Sequence, residues 1–87
     1  MVPYEEAYKK AAELRPDIDY FTEFERGWLF GARKDEDYIG GAGHTPVIVV
    51  KDSGKIVNAP TFYMQIKPGE ILQEDIAIDA AGRIIAE

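Results

Sequence analysis

Residues 37–62, DYIGGAGHTPVIVVKDSGKIVNAPTF, constrain the fold more than any other part of the chain. All four residues of Val47–Val50 are β-branched, which is typical of a central strand covered on both faces. Residues 52–54, Asp-Ser-Gly, have the chemistry of a tight turn. Residues 56–62 are therefore predicted to return as the partner strand. Pro60 has no N–H to donate, so it predicts an edge or a bulge near the end of that strand.

The first third of the chain predicts a helix followed by a β-hairpin. Apolar residues recur every three or four positions over residues 3–14, which indicates one apolar helix face. Residues 18–24 alternate like a half-buried strand, with Phe21 on the more polar face. A short turn leads into a second strand over residues 28–33, and the two strands are predicted to pair antiparallel.

The last quarter of the chain has a weaker pattern. Residues 70–75 are predicted to form a single helical turn, while residues 76–78 and 83–85 are predicted to pair as a small terminal hairpin. A frayed helix over residues 76–81 is the competing interpretation. The predicted fold class is α+β, with an N-terminal helix packed on a largely antiparallel four-stranded sheet and a short C-terminal hairpin or helical turn.

The composition limits the chain to one small domain, residues 1–87, and excludes several chemistries. The absence of cysteine excludes disulfides, thiolate catalysis and cysteine–zinc sites, and it fits a reducing cytoplasm. The first ten residues lack the basic leader and apolar stretch of a secretory signal. No apolar run is long enough to span a bilayer. We therefore expect a cytoplasmic protein with no membrane partner.

The charge of the chain bears on its partners. The formal net charge is −6, and the basic residues are scattered rather than clustered. Because nucleic-acid binding depends on clustered lysine and arginine, nucleic acid is a poor partner. An acidic surface serves solubility, or it steers the chain towards a basic protein.

A glycine-rich loop contains the only histidine of the chain, His44. Gly40, Gly41 and Gly43 are not followed by the lysine and hydroxyl residue of a phosphate loop, so they predict a flexible or tightly turned connection. His44 could act in acid–base chemistry, but it has no identifiable nucleophile partner. It is predicted to orient the loop or to contact a partner, and neither a cofactor nor a metal is predicted.

Acidic and aromatic residues supply the other candidate contacts. The acidic sets are Asp17 with Asp19, Glu23 with Glu25, and Asp35-Glu36-Asp37. The loop triplet lacks the ligand spacing of a calcium loop, so all three sets are predicted to be solvated or to meet basic partner residues. Tyr38 in the loop, and Phe21 unless another segment covers it, are candidate interface aromatics. The predicted partner contacts are Asp35, Glu36, Asp37, Tyr38 and His44.

The order helix, hairpin, glycine loop and VIVVKDSGKI resembles a bacterial immunity-protein family with a YrhB-type domain. The matching features are an initial helix with Tyr4, Glu5, Ala7 and Tyr8, a strand centred on residues 27–30, and residues 46–50 followed by 52–56. The resemblance covers about the first two-thirds of the chain, and the glycine loop departs from the usual family pattern. It implies an α+β fold and a non-enzymatic role, in which the protein neutralises a toxin by direct binding.

The leading hypothesis is therefore a small acidic protein-binding module, immunity-like and not an enzyme. One alternative is a phage or prophage accessory protein that inhibits a host defence factor. Another is a small-ligand-binding module with its ligand between the glycine loop and the sheet, beside His44. An edge strand following Pro60 would also allow pairing of two copies into a homodimer.

Overall fold

The computed structural model describes residues 1–32 and 46–85. Its helices are α1 (Tyr4–Leu14) and a six-residue π-helix (Thr61–Ile66), and its strands are β1 (Tyr20–Phe24), β2 (Gly27–Gly31), β3 (Val47–Val50), β4 (Ile56–Val57) and β5 (Ile71–Ala77). The predicted N-terminal helix, the first hairpin and the β-branched strand are confirmed, with ends that differ from the prediction by one or two residues.

The strands form one antiparallel sheet in the order β4-β3-β2-β1-β5. The α+β class is confirmed, but the sheet has five strands rather than four. The extra strand is β5, where a helical turn over residues 70–75 was expected. That prediction was wrong because β1 has a free edge, and the backbone of β5 satisfies the hydrogen-bonding groups of that edge.

One face of the sheet packs against α1. This larger core contains the buried side chains Ala7, Tyr8, Ala11, Ile18, Phe21, Trp28, Phe30, Val47, Val49 and Ile78. Phe21 was predicted to lie on the polar face of its strand, but it is only 2% exposed. Its ring centroid lies 5.0 Å from that of Tyr4, on α1. Phe21 is therefore a core residue and not a contact for a partner.

The π-helix covers the opposite face. Phe62 packs there with Phe24, Ile48 and Val50. All four residues of β3 are buried, which confirms the prediction of a strand covered on both faces. The predicted strand 56–62 was wrong after Val57.

The chain leaves the sheet after Val57 for a local reason. The side-chain oxygen of Asn58 accepts the N–H of Thr61 at 2.8 Å, and this bond starts a helical turn. Pro60 is compatible with that turn, whereas it removes a donor from a β-ladder. The turn carries Phe62 across the sheet instead of along its edge.

Two glycines occupy positions of close approach or tight turning, Gly31 at the end of β2 and Gly82 in the terminal hairpin. A Cβ on Gly31 would lie 2.7 Å from the hydroxyl oxygen of Tyr20, so glycine permits a close approach there. At the C-terminus, an antiparallel bridge joins Ile78 to Ile84. The predicted terminal hairpin is therefore confirmed, and the competing helix over residues 76–81 is not formed.

We expect Phe62→Ala to lower the free energy of unfolding by about 3–5 kcal/mol, because it leaves a cavity beneath a fully buried ring. Met64 lies on the same π-helix and is 76% exposed, so Met64→Ala serves as the matched control and should change stability by less than about 0.5 kcal/mol. Urea denaturation measures both. Equal losses of unfolding free energy in the two variants would show that Phe62 of the π-helix does not cover this face of the sheet.

Candidate protein-binding surface

The sequence-predicted contacts Asp35, Glu36, Asp37, Tyr38 and His44, and the loop glycines Gly40, Gly41 and Gly43, lie outside the described residues. The candidate surface lies in the last quarter of the chain. It consists of β5 and the terminal hairpin that follows it.

Asp79 organises the terminal hairpin. Its Oδ1 accepts the backbone N–H groups of Ala81 at 2.8 Å and Arg83 at 3.0 Å, and its Oδ2 accepts Nε of Arg83 at 3.2 Å. Gly82 adopts a φ of +80°, a conformation that glycine tolerates best. The two backbone donors favour the ionised carboxylate, so they lower the pKa of Asp79 below its usual value.

Two tyrosines of α1 hold this hairpin against the helix. The hydroxyl of Tyr4 donates to the carbonyl of Gly82 at 2.8 Å, and that of Tyr8 donates to the carbonyl of Ala80 at 3.0 Å. Burial raises the pKa of Tyr4 to about 12, so its hydroxyl remains a donor at neutral pH. The helix thus fixes the hairpin through both ring packing and hydrogen bonds.

Large apolar side chains remain exposed along this end of the sheet. Ile71 and Leu72 on β5 are 50% and 53% exposed, and Ile84 and Ile85 on the hairpin are 58% and 49% exposed. Ile84 and Gln73 line the same hollow, so the apolar side chains of the hairpin adjoin β5. We call these four apolar residues, together with Glu70 and Glu74, the β5 surface.

Part of the β5 surface lies in a stretch of the chain whose charged residues are all acidic, as those of residues 16–25 also are. Residues 69–82 contain four carboxylates and no lysine or arginine. They are Glu70, Glu74, Asp75 and Asp79. Since the formal net charge of the whole chain is −6, this short segment accounts for a large share of the excess. An apolar surface flanked by carboxylates is suited to a basic partner.

The edge strand itself is irregular. The register between β1 and β5 shifts twice, so the five residues of β1 face the seven of β5. Asp75 has a φ of 52°, in the left-handed region. Bulges of this kind twist an edge strand and hinder regular pairing with another strand. A partner can therefore contact the side chains of β5 more readily than it can pair with the backbone of β5.

An internal ion pair involves one of the predicted solvated acids. Glu23 Oε2 lies 2.6 Å from Nζ of Lys51, which is itself 5.0 Å from the centroid of the Trp28 ring. Lys51 is only 8% exposed. The prediction that Glu23 and Glu25 are both solvated is wrong for Glu23, because its carboxylate pairs with the buried Lys51. Asp17 instead pairs with Arg15 at 2.9 Å, on the exposed surface.

Comparisons with protein-family models, curated proteins and solved structures give no significant match to this chain. In residues 1–32 and 46–85, no helix is long and apolar enough to cross a membrane. Within the same ranges, no three histidine or acidic side chains are grouped closely enough to hold a metal ion.

We expect Asp79→Ala to destabilise the protein at neutral pH, because the hairpin loses its two backbone hydrogen bonds to the carboxylate. The folded state lowers the pKa of Asp79, so this stabilisation is present above the pKa of the unfolded chain and disappears as the pH falls through the folded pKa. The difference in unfolding free energy between wild type and Asp79→Ala should shrink as the pH falls from about 5 to about 2.

Asp79→Asn is the control for this series, since it keeps an oxygen acceptor but cannot ionise. Urea denaturation at each pH gives the free energies of unfolding. A gap between wild type and Asp79→Ala that stays constant or widens in acid would contradict the assignment.

Proposed function

We propose that this protein is a non-catalytic binding module that recognises a basic protein through the β5 surface. The observation that carries the proposal is the exposure of Ile71 and Leu72 on a segment with four carboxylates and no basic residue. Ile84 and Ile85, which follow Arg83 on the adjoining hairpin, extend the exposed apolar surface. Buried apolar area supplies most of the affinity of a protein interface. Complementary charge steers the encounter and rejects wrong partners.

The charge of the surface favours a different protein over a second copy of this chain. Two copies meeting through β5 would bring Glu70 and Glu74 of each towards the carboxylates of the other. Like charges across an interface cost free energy, and the two register shifts of β5 hinder a regular ladder between copies. A partner with lysine or arginine around an apolar centre avoids both problems.

The biological role that we propose is neutralisation of a toxin by direct binding. Support for it comes from the resemblance to immunity proteins in the first two-thirds of the sequence. A phage or prophage factor that inhibits a host defence protein would use the same kind of surface. The identity of the captured partner separates the two roles, and the products of adjacent genes are the first candidates.

The charge-reversal variant Glu70→Lys/Glu74→Lys should weaken partner binding by at least about tenfold, because it replaces the attractive carboxylates with repulsive charges. The partner is first captured from an extract of the native host with the immobilised wild-type chain. The affinity of each variant for the purified partner is then measured by calorimetry. Circular dichroism melting confirms that the variants fold.

Two further variants locate the interface. Glu13→Lys/Asp52→Lys changes the net charge equally at exposed positions away from β5, and it should bind about as tightly as wild type. Asp35→Lys/Glu36→Lys/Asp37→Lys tests the glycine-loop contacts that the sequence predicts. If Glu70→Lys/Glu74→Lys binds as well as Glu13→Lys/Asp52→Lys, or if the partner is acidic, the β5 surface is not the binding site.

A further inference from the structure

A groove of about 460 Å³ runs between α1 and the terminal hairpin. It is lined by Tyr4, Glu5, Tyr8 and Lys9 of the helix and by Ala81, Gly82, Arg83 and Ile84 of the hairpin. This volume is within the range of small-ligand sites, which are mostly apolar and have few polar groups. The ligand site that the sequence predicts beside the glycine loop lies outside the described residues.

The hydrogen bonds of the hairpin hold the two walls of the groove together. The hydroxyls of Tyr4 and Tyr8 already donate to carbonyls of the hairpin. A Cβ on Gly82 would lie 2.5 Å from the Tyr8 ring, so the walls meet closely at that point. The two phenol rings therefore offer a ligand apolar contact rather than hydrogen bonds. The body of a fitting ligand is apolar.

The charged residues of the groove indicate the polar end of the ligand. Lys9 comes from the helix and Arg83 from the hairpin, and Glu5 is the one carboxylate among the lining residues. Arg83 uses Nε to bind Asp79, while its side chain remains 81% exposed. The terminal nitrogens of a guanidinium can bind a carboxylate while Nε is engaged elsewhere. Asp79 and Glu5 offset the two positive charges, but Lys9 and the terminal nitrogens of Arg83 are the charged donors of the groove, and donors of this kind suit an anionic head group.

We propose that this groove binds a small amphiphile with a short apolar body and a single carboxylate. The apolar body lies against the rings of Tyr4 and Tyr8 and the side chain of Ile84. The carboxylate lies at the charged rim, where Lys9 and Arg83 can reach it. This site shares Ile84 with the β5 surface but requires neither Glu70 nor Glu74.

A second hollow, next to the groove, contains a fluorescent side chain that can report ligand binding in the groove. It has a volume of about 260 Å³, shares Tyr4 and Ile84 with the groove, and is also lined by Phe21 and Trp28. Trp28 is the only tryptophan of the chain. Its fluorescence therefore reports a ligand that shifts Tyr4 or Ile84, and the backbone amide signals of Gly82 and Ile84 in NMR spectra report the same event from the hairpin.

Three probes with the same alkyl chain test the head-group preference: octanoate, octanol and octylammonium. Octanoate has about ten non-hydrogen atoms, so we expect a dissociation constant in the millimolar range. Adding octanoate to the full chain up to about 20 mM is enough to measure such a constant. Octanoate should bind saturably and at least about threefold more tightly than octanol, with octylammonium the weakest. Saturation should shift the amide signals of Gly82 and Ile84.

Matched substitutions separate the apolar contact from the head-group contact. Ile84→Glu should weaken octanoate binding by at least about tenfold, while Ile56→Glu, at a site on β4 that is 42% exposed against 58% for Ile84, should not. Lys9→Gln/Arg83→Gln should remove the preference for octanoate over octanol and leave octanol binding unchanged. Lys55→Gln/Lys67→Gln removes two positive charges outside the groove and should keep the preference.

Three results would overturn the proposal. The first is the absence of saturable binding of octanoate to the wild-type chain within the titrated range. The second is binding of octylammonium as tight as that of octanoate. The third is an unchanged head-group preference in Lys9→Gln/Arg83→Gln when its circular dichroism spectrum matches that of the wild type. Loss of partner binding in Glu70→Lys/Glu74→Lys without loss of octanoate binding would show that the two sites are distinct.

Discussion

Burial of the central strands from both sides is the interaction on which the rest of the structure depends. Phe30, Ile48, Val49 and Phe62 are the largest fully buried side chains, and they lie in or against β2 and β3. Each contributes about 1.5–3 kcal/mol when removed from water, a large fraction of the stability of so small a domain. A sheet with apolar side chains on both faces needs two covering layers. The helix α1 supplies one layer and the π-helix supplies the other.

The two layers cover the central strands and leave the edges of the sheet exposed. One of these edges, β5, belongs to the surface that we propose binds a partner. On one side the sheet ends in the two residues of β4. On the other it ends in β5, whose register shifts and carboxylates discourage pairing with another strand while its apolar side chains remain accessible. The terminal hairpin extends this apolar surface, and its hydrogen bonds to Tyr4 and Tyr8 form the groove beside it.

The parts of the fold that the sequence predicted are those with strong local signals. The apolar periodicity of α1 and the β-branched run of β3 each point to one structure. In contrast, β5 has no clear alternation, and it is a strand only because β1 offers it an edge. The side of the sheet on which Phe21 lies is likewise decided by where α1 packs.

The site was less predictable than the fold. The contacts proposed from the sequence lie in the glycine loop, outside the described residues. The β5 surface had one readable signal, a run of fourteen residues, 69–82, with acidic residues and no basic ones. The groove had none, because Lys9 and Arg83 are brought together only by tertiary packing.

Amide hydrogen exchange of the free protein tests the central claim most directly. Amides of β2 and β3 should exchange only through global unfolding, while those of β5 should exchange at least about tenfold faster through local opening. Equal protection of β3 and β5 would contradict a doubly covered centre with an exposed edge.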